Sequence, residues 1–556
     1  MQQKFLEKTL GQQIADMAAK YPDDNMIDYT DRDYSRTWKE FNDECETIAR
    51  GFMALGLKKG SHISIWGTNV PAWLLTFFGS AKMGGILVTV NTSYKVFELD
   101  YQLKQSDSEA IVLIDGYKGT SYIDIINELC PELESCEPGK LKSRRLPLLK
   151  SVIYAGDGEC PAGMVDWKDL YTLAEQTPVE EFEAVHDSCD CHEVVNIQYT
   201  SGTTGFPKGV MLTHYNILNN GQTIGDGMKF THEDRLCITV PFFHCFGMVL
   251  ALMSCISHGT PFVPIDMFNA KKVMDALATK HCTAVHGVPT MFIAMLEHPD
   301  FDKYDFSHMR TGIMAGSPCP IKTMYDVSEK MNMRDIVIVF GQTEAAPGCT
   351  MTTTEDSLET RCATVGKAFP GVECKIVDPN TGETLPAGEI GEFCARGYNI
   401  MKGYYKMPEA TAQAIDKDGW LHFGDLAVCD ENGYYKVTGR LKDMIIRGGE
   451  NIYPKELEEC LYHNDRVKDV QVIGVPSKKY GEEVCACVIL KEGEDMTEDE
   501  IKAYYKENVA FFKIPKYVWI MDEFPMTASG KIQKFVLRDM AVEKYSLQSD
   551  DSIETA

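Results

Sequence analysis

Short apolar runs alternate with longer amphipathic stretches through most of this chain. His62–Trp66 reads as a strand, 70–83 as a helix and 86–90 as a strand again. The alternation continues through strand-like runs at 110–114, 152–154, 194–199, 236–240, Ala284–His286 and 336–340. Apolar β-branched runs separated by helical patterns predict parallel sheets covered by helices. Between residues 366 and 439 the texture changes. Strands shorten and turn clusters crowd together, as in Pro379-Asn380-Thr381-Gly382 and Asp430-Glu431-Asn432-Gly433, which predicts a barrel-like or sandwich-like β section. Beyond Gly439 a third texture begins, with a helix over 454–461, strands over 467–475 and 483–490, and a helix over 497–509. The fold class expected is therefore α/β, with a small α+β unit at the C-terminal end. The stretch 546–556 is acidic and polar, and a disordered tail is expected there.

Composition narrows the function classes. The chain has 556 residues, 44% hydrophobic and 25% charged, which is the range of a folded globular protein rather than a fibrous or disordered one. The net charge is −27, so the molecule as a whole repels nucleic-acid backbones and anionic membranes. No nucleic-acid partner is expected, and any polyanionic ligand must be held by local chemistry. Nineteen irregularly spaced cysteines in a chain long enough to bury a core fit a reducing compartment. The start of the chain lacks an apolar signal region, and the longest apolar runs, 71–81 and 248–256, fall short of the roughly 20 residues needed to cross a bilayer. A cytoplasmic protein without an integral membrane segment is expected. The basic stretch 140–150 reads as a solvated loop, and Cys189-Asp190-Cys191-His192 lacks a second Cys/His pair at zinc spacing.

The most informative segment runs Tyr199-Thr200-Ser201-Gly202-Thr203-Thr204-Gly205-Phe206-Pro207-Lys208-Gly209. Glycines let the backbone approach phosphate closely, hydroxyls and N–H groups donate to its oxygens, and Lys208 brings charge. The spacing is not that of a P-loop NTPase, which from Gly202 would require glycine at 207 followed by Lys-Ser/Thr; the chain has Pro207, Lys208 and Gly209. A simple Ser/Thr/Gly-rich turn between a strand and a helix is the plainer alternative.

The residue order of this segment resembles the signature of the AMP-forming, adenylate-forming enzymes: acyl- and aryl-CoA synthetases, luciferases of the firefly type and peptide-synthetase adenylation domains. Further motifs follow in the family's order. Phe340-Gly341-Gln342-Thr343-Glu344 resembles its Tyr-Gly-x-Thr-Glu element, with Phe340 in place of Tyr. The resemblance implies that Phe340 stacks on adenine, Thr343 touches the α-phosphate and Glu344 holds Mg²⁺. Ala315-Gly316-Ser317-Pro318 resembles the loop flanking the adenine. Asp425, in Trp420-Leu421-His422-Phe423-Gly424-Asp425, takes the position that holds the ribose hydroxyls, although Phe423 replaces the family's hydroxyl residue. Gly439-Arg440-Leu441-Lys442-Asp443 looks like the hinge, with Arg440 on the nucleotide side and Lys442 at the pivot. Arg447-Gly448-Gly449-Glu450-Asn451-Ile452 resembles the lining of a pantetheine tunnel, and Pro525-Met526-Thr527-Ala528-Ser529-Gly530-Lys531 the loop that carries the catalytic lysine, here Lys531.

What the resemblance implies is an N-terminal adenylate-forming domain over 1–441 and a mobile C-terminal domain over 442–545. Its reaction joins a small-molecule carboxylic acid to CoA in two steps, with ATP, Mg²⁺ and CoA required. The acyl pocket is expected along Pro241-Phe242-Phe243-His244-Cys245-Phe246-Gly247-Met248 and His286-Gly287-Val288-Pro289-Thr290, with His244 at the aromatic position that shifts between the two steps. His244 and His286 have an equal reading as packed, hydrogen-bonded histidines. These segments are apolar and offer no Asp or Lys for a substrate amine or second carboxylate, so a medium- or long-chain fatty acid is expected. Met248 stands where some long-chain enzymes carry a Trp gate, which argues against a strictly long-chain assignment. An aryl or branched acid, a carrier protein acting in trans as acceptor, luciferase-like oxygenation and a non-catalytic nucleotide sensor are the alternatives.

Overall fold

The computed structural model describes residues 4–200, 207–316, 319–447, 450–477, 480–509, 511–527 and 531–547. The chain divides into two compact units, Met1–Cys374 with Ala395–Leu421, and Lys375–Cys394 with His422–Ala556.

The first unit is built on two large sheets. One has eight strands, in the order Gly403–Tyr404, Lys208–Thr213, Val194–Thr200, Ile86–Thr89, His62–Trp66, Ala110–Leu113, Ser151–Tyr154 and Val165–Asp166. The other has seven, in the order Asp335–Val337, Thr311–Ile313, Ala284–His286, Leu236–Ile238, Phe262–Pro264, Asn25–Asp28 and Ser35–Thr37. Both are parallel in their interiors, where each strand is buried on both faces, as continuous apolar runs require. Their edges depart from the expected parallel pattern. Ser35–Thr37 pairs antiparallel with Asn25–Asp28, and Lys208–Thr213 pairs antiparallel with both Val194–Thr200 and Gly403–Tyr404. The apolar run at 336–340 splits into two strands, Asp335–Val337 in the seven-stranded sheet and Val339–Gly341 in a separate three-stranded one. Helix Pro71–Lys82 is buried at every residue from Ala72 to Lys82, since it fills an interior rather than lying on a surface. No helix among the described residues is long and apolar enough to cross a membrane.

The second unit carries most of the β section and the C-terminal α+β fold. A four-stranded sheet runs Val372–Val377, Gly391–Gly397, Leu421–Cys429 and Tyr435–Arg440. Its turns share one device: the Oδ1 of Asp378 accepts from Asn380 and Thr381 N–H, and that of Asp430 from Asn432 and Tyr434 N–H. Next comes a five-stranded sheet in which Gly481–Leu490 lies between Ile445–Arg447 and Val467–Ser477 and also pairs in parallel with Tyr517–Ile520. Alternation along Gly481–Leu490 covers both of its faces. Val484, Ala486 and Val488 pack with Leu457, Ile501 and Tyr505, whereas Cys485 and Cys487 pack with Phe524, Leu537 and Ala541. Helix Glu498–Asn508 begins at a capping box between Thr497 and Glu500.

Candidate active site

Thr200 and Lys208 are cross-strand partners, so residues 201–207 connect two antiparallel strands rather than a strand and a helix. Ser201, Gly202, Thr203, Thr204 and Gly205 lie outside the described residues, but pairing of the flanking strands holds both ends of the loop. Lys208 Nζ sits 4.8 Å from the centroid of the Tyr404 ring, a cation–π distance. The Tyr404 hydroxyl in turn donates to Glu344 Oε1 at 2.7 Å. Burial, and then the nearby Glu344 carboxylate, push the Tyr404 hydroxyl above its ordinary range, so it stays protonated as a donor. Lys208, Tyr404 and Glu344 thus form one connected group at the edge of the eight-stranded sheet. Sequence reasoning missed Tyr404. It reaches the site because Gly403–Tyr404 pairs across Lys208–Thr213, with Tyr404 opposite Val210.

Phe340, Gly341 and Gln342 lead into the short helical turn Thr343–Ala345, with Gln342 as its N-cap. Gly341 is there for a steric reason: a Cβ would stand 1.8 Å from the Pro347 carbonyl oxygen. Thr343 is buried, and its hydroxyl is 3.4 Å from Cys245 Sγ. The same sulfur is 3.8 Å from His244 Nδ1, which also accepts from Phe246 N–H at 3.1 Å. Cys245, expected only as part of the acyl-pocket segment, therefore joins Thr343 to His244 where the phosphate motif meets the apolar segment. Gly316 has φ +87°, which favours glycine, and a Cβ there would meet Val288 at 3.1 Å and Phe246 at 4.0 Å. Ser317 and Pro318 lie outside the described residues.

The apolar segment is anchored from behind. Asn69 Oδ1 accepts from Phe242 N–H at 2.8 Å, and its amide donates to the Val240 and Ile265 carbonyls. Gln198 donates to the Phe243 carbonyl at 2.7 Å. Phe243, Phe246 and Met248 are all buried. His286 follows its packed reading: its ring lies parallel to Phe230, its Nδ1 accepts from Ile313 N–H at 3.2 Å, and burial lowers its pKa to about 4.

A second group gathers in the other unit. Asp425, 6% exposed, pairs with Arg440 Nε at 3.1 Å. Burial raises the Asp425 pKa, while Arg440, Lys531 and Lys442 oppose that rise. Four residues taken from three separate motifs therefore share one electrostatic neighbourhood. Lys531 is held by Thr527: Thr527 N–H donates to its carbonyl at 2.7 Å and its own N–H donates to Thr527 Oγ1 at 3.1 Å. Gly448 and Gly449 lie outside the described residues.

For a divalent cation, Glu344 offers a hard carboxylate oxygen, half-buried and oriented by Tyr404, whose ring also carries Lys208. That donor set fits Mg²⁺, which takes one or two carboxylates and completes its shell with water and substrate phosphates. Elsewhere, Asp190, Cys191 and His192 bring donor atoms within 4.8 Å of one another, as do Glu392, Cys394 and His422.

The model for AMP-binding enzymes matches residues 14–405, and that for the AMP-binding enzyme C-terminal domain matches 456–531. YngI of Bacillus subtilis (strain 168), named as an acyl-CoA synthetase, is 51% identical across 98% of this chain and 99% of its own. The mitochondrial medium-chain acyl-CoA ligase ACSF2 of Bos taurus is 39% identical across 97% of this chain and 88% of its own. The crystal structure of ATP-bound MatB from Rhodopseudomonas palustris superposes with a TM-score of 0.83 at 28% identity, covering 97% of this chain and all of that one. Motif order, fold and relatives agree, and the chain belongs to the AMP-binding, adenylate-forming enzymes, as an AMP-forming acyl-CoA ligase.

Proposed function

We propose that the enzyme activates a medium-chain fatty acid, first as the acyl adenylate and then as the CoA thioester. The observation that carries this reading is the junction at Cys245. There the Thr343 hydroxyl, expected at the α-phosphate, adjoins a segment whose buried residues Phe243, Phe246 and Met248 suit an alkyl chain. The name of the ACSF2 relative supports the same chain length.

In the first step the acid's carboxylate attacks the α-phosphorus and pyrophosphate leaves. Both reactants are anionic, so the barrier is largely electrostatic, and the protein must hold them in line while neutralising charge. The Thr200–Lys208 connection donates to the phosphates, with Lys208 steadied over Tyr404. Gly316, Ser317 and Pro318 flank the adenine, on which Phe340 stacks, and Asp425 accepts from the ribose hydroxyls. Lys531 adds the mobile positive charge. Glu344 would hold Mg²⁺, which when bound would supply Lewis-acid polarisation of the phosphate oxygens.

In the second step the CoA thiol displaces AMP from the acyl carbonyl. The C-terminal domain turns at Lys442, withdrawing Lys531 and bringing Gly448 and Gly449 to the pantetheine arm. Glycine there allows close approach of backbone to a thin chain.

The two steps can be tested apart. Lys531→Ala is expected to lower ATP–pyrophosphate exchange by about 10²–10³-fold while sparing thioester formation from synthetic acyl-AMP. Equal losses in the two assays would sink the assignment of Lys531.

A further inference from the structure

Alternation along the strand Gly391–Gly397 sorts its side chains between two faces. Phe393 turns to one face, where it packs on Phe423 and Tyr435 with ring centroids 4.8 and 5.3 Å away. Glu392 and Cys394 turn to the other. His422, next to Phe423 on the neighbouring strand Leu421–Cys429, joins them there. Its Nδ1 lies 2.8 Å from Glu392 Oε2 and 3.5 Å from Cys394 Sγ, so a nitrogen, an oxygen and a sulfur converge within 4.8 Å of one another. All three residues belong to the second compact unit.

One ring nitrogen has a single hydrogen to give and cannot serve both neighbours fully. A cation engages all three. Bonds of about 2.0–2.1 Å to nitrogen and about 2.3 Å to sulfur, at the tetrahedral angle, put those two atoms about 3.5 Å apart, which matches the 3.5 Å between His422 and Cys394. The carboxylate has to draw back by about half an ångström from its hydrogen bond to His422. It is already oriented from behind, because its Oε1 accepts from Gly424 N–H at 3.0 Å, the kind of outer contact that fixes a metal ligand. Cys394 is fully buried while the His422 side chain is 31% exposed, so the sulfur closes the inner end and the imidazole borders a path from solvent. The donor set selects the ion. Mg²⁺ and Ca²⁺ take oxygen ligands, whereas thiolate with imidazole suits the zinc class, and thiolate plus carboxylate balance a double positive charge. The group Asp190, Cys191 and His192 is a weaker candidate: its donors are consecutive in a loop, Asp190 and His192 are exposed, and Asp190 Oδ1 already accepts from His192 N–H at 2.8 Å. Two adjacent strands hold ligands more firmly than a loop does.

We propose that Glu392, Cys394 and His422 form a binding site for a thiophilic divalent cation of the zinc class, with three protein ligands and a fourth position open to water.

Co²⁺ is the probe, because a cobalt–thiolate bond gives a near-ultraviolet charge-transfer band that oxygen ligands alone do not. The reduced full-length protein is titrated with Co²⁺ in excess Mg²⁺, which keeps carboxylate-only sites filled. The expected result is a saturable thiolate band with the visible spectrum of a four-coordinate ion, displaced by Zn²⁺. Cys394→Ser should abolish the band, and His422→Gln should weaken Co²⁺ binding by at least about 10²-fold, beyond the loss typical of an outer contact. Cys191→Ser should leave the band intact. Zn²⁺ should raise the thermal midpoint of the parent and not that of His422→Gln, whose own cooperative melting shows that it is folded even if Cys394→Ser is not. The proposal is overturned by a parent protein without the band, by a band of equal strength and affinity in His422→Gln, or by a band lost in Cys191→Ser, which places the bound ion elsewhere.

Discussion

Tyr404 shows how much of the chemistry rests on one hydroxyl. It orients the carboxylate expected to bind the metal, and its ring supports the lysine expected at the phosphates. Removing a group that orients a metal ligand typically costs about 10–100-fold in metal affinity or activity. Tyr404→Phe should therefore raise the Mg²⁺ concentration needed for half-maximal pyrophosphate exchange by that factor, while the larger loss from Glu344→Gln is not rescued by added metal. An unchanged Mg²⁺ titration in Tyr404→Phe contradicts the arrangement. Asp425 makes a different bargain. Its folded pKa is raised by burial, so over the interval above about pH 3.9 the folded state binds more protons than the unfolded one, and stability declines as pH rises through it. Asp425→Asn removes that decline. The variant should match or exceed the parent in thermal midpoint at neutral pH while losing ATP affinity, which a melting curve and an ATP titration can check together. Most of these residues were visible in the sequence because their motifs are contiguous. Tyr404 was not, nor was the contact of Cys245 with Thr343, since the partners Glu344 and Thr343 are 60 and 98 residues away along the chain.

At the scale of elements, the interior strands were legible for a physical reason. A strand buried on both faces is mostly apolar, and His62–Trp66 and Ala284–His286 stand out as such runs between helices, with the buried Ser64 hydroxyl hydrogen-bonded to that of Ser108. Two features were hidden. The run at 336–340 is uniformly apolar, and nothing local marks where Asp335–Val337 ends and Val339–Gly341 leaves for another sheet. The two-residue strand Gly403–Tyr404 is too short for any periodicity, and only its distant partner Lys208–Thr213 makes it a strand. The expected hinge spans the short turn Leu441–Asp443, closed by a bond from Met444 N–H to the Arg440 carbonyl at 3.0 Å. Proline at 442 would fix φ in that turn. Lys442→Pro is thus expected to spare pyrophosphate exchange and to slow thioester formation by about 10²-fold, because in the proposed mechanism only the second step needs the domain to turn. A parallel loss of exchange would show that the turn matters to the nucleotide site itself rather than to movement.

For the molecule as a whole, the charge of −27 excludes little about nucleotides, because the ligand field is local. Lys208 serves one group, and Arg440, Lys442 and Lys531 serve the other. Acid sensitivity follows from burial rather than from net charge. His214 and His286 are buried and neutral, with pKa values lowered to about 3 and about 4. In the unfolded chain both take up protons as pH falls below about 6.5, while in the folded chain they do not. Their contribution to stability is therefore complete above that pH and is lost as it falls toward 4, at about 1.4 kcal/mol per pH unit for each histidine. Denaturant midpoints measured from neutral pH downward should show this slope, and His286→Gln should reduce it by one proton; an unaltered slope contradicts the assignment. The central claim concerns chemistry, namely an AMP-forming acyl-CoA ligase shaped for a medium-chain acid. ATP–pyrophosphate exchange and acyl-CoA formation, measured over acids from acetate through octanoate to palmitate and with benzoate, test it most directly. The account predicts acid-dependent exchange without CoA and the highest kcat/KM for both activities near octanoate. Exchange that is greatest with benzoate or acetate, or thioester formed without any acid-dependent exchange, would contradict it.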